Sequence, residues 1–109
     1  MAKRVTKGKV PGHYRWLHEK YPDVGEAYER LGKAVHAAGP LDDSTRAVVK
    51  LGISIGAGLE GAVHSHARKA LEAGVSPKAL LHVAVLAMPT IGLPATVRAL
   101  SWVRDVTDK

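Results

Sequence analysis

The sequence predicts an all-α protein, a bundle of about six helices. Three observations point there. Large aromatics make up only 5% of the 109 residues, with no Phe, while Ala, Val, Leu and Gly dominate, a composition suited to closely packed helices rather than a β-sandwich. Apolar residues recur at spacings of three and four, the period of one helix face. Each such stretch is bounded by capping or breaking residues such as Gly39-Pro40, Asp42-Asp43-Ser44-Thr45 and Ser76-Pro77. With 46% hydrophobic and 24% charged residues the chain fits a single globular domain over residues 11–109, preceded by a flexible basic tail at 1–10.

The elements follow in order. Pro11-Gly12 opens HYRWLHEKYP, one or two helical turns. Pro22 starts a firmer helix in which Val24, Tyr28, Leu31, Val35 and Ala38 share one face, and Gly39-Pro40 ends it. The Asp42–Thr45 run offers N-caps for a helix through residues 48–55. Gly56, Gly58 and Gly61 interrupt the pattern, their small size allowing a turn or a close helix approach. The next helix runs from about Ala62 to Ala73, with Gly74 as its C′ residue. Ser76 as N-cap and Pro77 at the first helical position start ALLHVAVLAM, read as a buried helix. Pro89 to Pro94 is a break, and Pro94 starts a last helix with Ala95, Ala99, Trp102 and Val106 on one stripe.

Several function classes fall away. Cysteine is absent, which excludes disulfides, thiolate metal sites and thiol-based catalysis. The net charge is +6, but Lys3, Arg4, Lys7 and Lys9 of the tail leave only +2 for the rest. A basic tail on a nearly neutral body argues against a nucleic-acid-binding face. The start lacks the apolar stretch of a signal peptide, and the uncharged run from Ala79 to Val97 contains His82, Pro89 and Pro94, so it reads as helix, turn and helix rather than a membrane span. A soluble, cytoplasmic protein is expected.

Residues 56–61 spell G-x-G-x-x-G, and a dinucleotide-binding reading requires a strand before the glycines and an acid at the end of a second strand. No Asp or Glu lies between Glu72 and Asp105, and Ser76-Pro77 signals a helix where that second strand would start. Helix at residues 48–55 would settle the matter against a nucleotide.

Leu59, Val63, His66 and Ala70 follow four-three-four spacing, so His66 is expected in an apolar stripe facing the core or a pocket. It is the candidate catalytic residue, against the alternative of a hydrogen-bonded structural histidine. His64 lies about 200° away around the helix, and an i, i+2 histidine pair cannot chelate one ion, so the sequence predicts no metal centre and no cofactor. Glu60, His82 and Arg46 are the candidate substrate-binding residues, with Lys50 and Arg68 as further cations suited to a carboxylate.

The stretch GLEGAVHSHARKALEAGVSPKALLHVAVLAMPTIGLPA, with His66 followed by Ala70-Leu71-x-x-Gly74, an apolar helix and Gly92-x-Pro94-Ala95, resembles the carboxymuconolactone decarboxylase and AhpD-like alkylhydroperoxidase family. The resemblance covers most of the chain after about Pro22 and implies an AhpD-like helical bundle assembled as a homo-trimer or hexamer, with sites near subunit contacts. The family's peroxidase branch uses a Glu and a Cys-x-x-Cys pair ahead of the histidine. The matching positions here hold Ala47, Leu59 and Ala62, so the resemblance implies loss of the peroxidase activity. The decarboxylase branch keeps the histidine without the cysteines. Two readings remain open. One is a cofactor-independent lyase, of decarboxylase or isomerase type, on a small carboxylated or lactone-like metabolite, with His66 as acid–base group. The other is a non-catalytic oligomeric relative retaining the scaffold.

Overall fold

A computed structural model describes residues 12–108; the basic tail at 1–10 lies outside the described residues. All regular structure among them is helical: α1 (Gly12–Lys20), α2 (Pro22–Ala37), α3 (Asp43–Ala57), α4 (Glu60–Glu72), α5 (Pro77–Leu86), α6 (Met88–Ile91) and α7 (Leu93–Thr107). The expected count of about six becomes seven because the Pro89 break contains the single turn α6. No described helix is long and apolar enough to cross a membrane. Residues 48–55 are helical, which removes the dinucleotide reading.

The chain divides into two compact units, one ending at Leu41 and one beginning at Asp42. In the first, α1 and α2 pack together and their hinge is continuous in hydrogen bonds, Tyr21 N–H to Leu17 O at 2.8 Å and Gly25 N–H to Tyr21 O at 3.0 Å. Tyr14 donates to the Glu29 carboxylate and stacks edge-on against His18 at 4.5 Å. Burial, then the neighbouring Glu29 carboxylate, pushes the Tyr14 phenol up to about 12. Gly25 is buried beneath His18, where a Cβ would collide with the ring's Nδ1, so no larger residue fits without moving the imidazole. The apolar face of α2 does not enter a core. Val24, Tyr28, Leu31 and Val35 are each 54% to 58% exposed. The three-four spacing identified the face correctly, but spacing carries no information on what covers it.

The second unit holds the core. Asp42 Oδ1 accepts from Thr45 N–H at 2.9 Å and caps α3, and Ser76 Oγ does the same for α5 through Ala79 N–H at 3.1 Å, as their residue types require. α4 packs between α3 and α7, while α5 lies against α7 and α3. Leu51 and Ile55 of α3, Val63, Ala67 and Ala70 of α4, Leu80 and Ala84 of α5, and Ala99, Val103 and Val106 of α7 are buried together. Gly74 takes φ 93° just past α4, the left-handed position that ends helices.

Three expectations need correction. The helix at α5 buries only the Leu80 and Ala84 stripe and leaves Val85 and Leu86 exposed, because a ten-residue helix meets its neighbours in this unit along one side only. The buried stripe of α7 is Thr96, Ala99, Val103 and Val106, with Ala95 and Trp102 half-buried at its edge. Of the three glycines, only Gly58 is conformationally required, at φ 71°. A Cβ on Gly56 or Gly61 would meet open space, so neither mediates close helix approach.

Thr96 is fully buried and its Oγ1 has no hydrogen-bond partner. A buried hydroxyl left unsatisfied costs about 1–3 kcal/mol. Thr96→Val keeps the volume and removes that polar atom. The expected gain is about 1 kcal/mol, read as a thermal midpoint raised by roughly 4–8 °C for a unit of this size. A lowered midpoint in circular-dichroism melts would contradict it.

Candidate functional site

The geometry of the site begins at the α3–α4 turn. Gly58 in the left-handed conformation caps α3, its N–H reaching Ile55 O at 3.1 Å, and Leu59 N–H bonds Ser54 O at 3.1 Å. After two residues the chain re-enters helix at Glu60, whose carboxylate in the first turn complements the partial positive charge there. α3 and α4 thus form a helical hairpin.

With Val63, Ala67 and Ala70 of α4 buried, the helical period of about 100° per residue separates two polar edges. His66 and Lys69, three residues apart, lie on one. Glu60 and His64, four residues apart, lie on the other, with Arg68 a further turn along and buried.

On the first edge, His66 is half-buried at the margin of the apolar stripe rather than at its centre. Its helix partner Lys69 lies within electrostatic reach of Lys50 of α3. The Lys50 ammonium is held below the ordinary lysine value of 10.5, by burial first and then by the charges of Lys69 and Arg46. Arg46, one turn before Lys50, forms an ion pair with Asp43. Lys50 therefore feels the like charges of both Arg46 and Lys69. Ala47 is half-buried against the core, Ala62 is half-buried, and Leu59 is exposed ahead of the first turn of α4. Aliphatic at all three positions, they offer no acid and no thiol.

The other predicted substrate-binding residues fall elsewhere. His82 is exposed on α5, about 200° around the helix from both Leu80 and Ala84, which are buried. Glu60 is exposed on the second edge of α4 and belongs to a different cluster. There His64 Nε2 lies 2.9 Å from Asp105 Oδ2 of α7, and one donor atom each of Glu60, His64 and Asp105 lie within 4.8 Å of one another. Sequence reasoning missed this group. The i, i+2 relation of His64 and His66 does not point to it; the local signal is Glu60 at the favourable i, i+4 spacing from His64. Asp105 is 41 residues further along and only the packing of α7 on α4 reveals it.

The described residues define an all-helical protein built around the α3–α4 hairpin. The chain belongs to the carboxymuconolactone decarboxylase family, whose model matches residues 22–105, and with no cysteine in its sequence it is a cysteine-free member. No curated protein and no solved structure matches it significantly.

The effect of Lys69 on Lys50 has a direct check. Lys69→Met removes a like charge and so favours the protonated form of Lys50. The Lys50 midpoint, followed by NMR of its side chain, is expected to rise toward 10.5 without reaching it, since burial persists. An unmoved midpoint would place Lys69 too far away to matter.

Proposed function

We propose that this protein is a cofactor-independent lyase, of decarboxylase or isomerase type, acting on a small carboxylated or lactone-like metabolite, with His66 as its acid–base group. The observation that carries the reading is the half-buried His66 with Lys69 one turn along the same edge of α4, together with the like charges of Lys69 and Arg46 felt by Lys50. Like charges gathered at a partly buried position are unfavourable for the free protein and become favourable when an anion neutralises them. A substrate carboxylate is such an anion, and the planar guanidinium of Arg46 is suited to it in exchange for, or alongside, its Asp43 partner.

The chemistry then asks little of the protein. In an unsaturated carboxylactone the bond to the carboxylate carbon breaks, CO₂ leaves, and the electron pair passes into the conjugated system toward the lactone carbonyl. The cations stabilise that developing negative charge. The imidazolium of His66 delivers a proton to carbon and is recharged from solvent, so carboxylate plus one proton gives the product and CO₂. Imidazole is suited to this because its ordinary pKa lies near neutrality. Thiol peroxidase chemistry is not part of the proposal, because the chain has no thiol to serve as nucleophile or resolving group.

Turnover of a panel of unsaturated carboxylactones, followed by CO₂ release, tests the reading. His66→Ala is expected to lower kcat by about 10²–10⁴-fold with substrate affinity largely kept. No turnover by the native chain, or turnover indifferent to the substitution, would leave the non-catalytic relative as the better description.

We further propose that copies of the chain associate through the apolar face of α2, in the trimer or hexamer that the family resemblance implies. Val24, Tyr28, Leu31 and Val35 form a continuous apolar stripe more than half exposed, and large exposed apolar patches mark association surfaces. Sedimentation equilibrium is expected to give a multiple of the chain mass, and Leu31→Glu is expected to shift it toward a single chain. A native protein that sediments as one chain would refute this assembly.

A further inference from the structure

We propose that Glu60, His64 and Asp105 form a binding site for a first-row divalent transition-metal ion, separate from the flank that holds His66. Two helices supply the donors. Glu60 and His64 are one turn apart on α4, so their side chains emerge in register, and Asp105 reaches them from α7.

The distances suit an ion of this class. Ligands held at about 2.0–2.2 Å from a zinc-like ion stand roughly 3.0–3.5 Å apart. His64 Nε2 and Asp105 Oδ2 are already 2.9 Å apart, and all three donor atoms lie within 4.8 Å of one another. Glu60 is exposed and unbranched, so its carboxylate has rotamer freedom to close on the pair when an ion draws it in. The pair is anchored yet open. The His64 side chain retains 26% exposure and that of Asp105 56%, which leaves room for water to complete the coordination shell.

Charge and donor type narrow the ion. Two carboxylates balance a divalent cation, and one imidazole nitrogen with two carboxylate oxygens is the donor set of zinc, cobalt, nickel, manganese or iron(II). Calcium and magnesium prefer all-oxygen shells and gain nothing from the imidazole. In the absence of an ion, an Nε2–H donates to Asp105. On binding, that proton leaves to solvent and the nitrogen lone pair takes the metal.

The alternative is an ordinary histidine–aspartate ion pair with a glutamate nearby, and metal titration separates the two. The full-length chain, free of any added histidine tag, is titrated with Zn²⁺ by calorimetry and with Co²⁺ by visible absorption. One ion per chain is expected. His64→Ala is expected to abolish uptake, and Asp105→Asn and Glu60→Gln each to weaken it by about tenfold or more. His82→Ala and His66→Ala are expected to bind as the native chain does, and the latter keeps this site distinguishable from the proposed lyase centre. Glu60 is exposed, so Glu60→Gln reports on coordination even if His64→Ala fails to fold. No saturable uptake below millimolar ion, or uptake indifferent to Glu60→Gln and Asp105→Asn, would overturn the site.

Discussion

One backbone constraint underlies the second unit, the reversal at Gly58. Its φ of 71° and ψ of 35° belong to the left-handed region, which costs an L side chain about 1 kcal/mol or more. A Cβ there would also stand 3.1 Å from the Arg98 guanidinium, which packs 5.0 Å from the Trp102 ring on α7. Because the reversal takes two residues, α4 must return along α3. That return lays Leu51 and Ile55 against Val63, Ala67 and Ala70, and it brings Lys69 within electrostatic reach of Lys50. The core and the cationic flank are consequences of the same turn.

α4 acts as a divider. Its buried stripe is only a few residues wide, so everything polar on the helix must leave on one side or the other. Lys69, on the edge of His66, acts on Lys50 of α3, and Glu60 and His64 leave toward Asp105 of α7. Histidines two positions apart in sequence therefore answer to different partners. A substitution on one edge leaves the other edge's geometry intact, provided Val63, Ala67 and Ala70 stay buried.

Much of this was legible in the sequence, and the parts that were not share a cause. Asp42, Gly74 and Ser76-Pro77 announce helix ends through local backbone chemistry, and the structure uses each of them that way, while of the run Gly56, Gly58 and Gly61 only Gly58 makes the turn. The order His66, Gly74, Gly92-x-Pro94 carried the family and hence the fold. What failed was non-local. The face of α2 was periodic and apolar, yet nothing in the period says whether a neighbour covers it. His82 sits within an apolar run and is nevertheless exposed, because α5 buries one stripe only. Asp105 joins His64 across a separation that no spacing rule spans.

The composition of the core has a consequence for how the protein behaves in dilute solution. Among the described residues, four of the ten buried apolar ones are alanines and none is aromatic. Each alanine removes little surface from water, so the second unit draws a modest hydrophobic free energy from its own interior. Were copies to associate through α2 as proposed, mass action would draw the folding equilibrium with them, and the same chain would be more fragile when scarce.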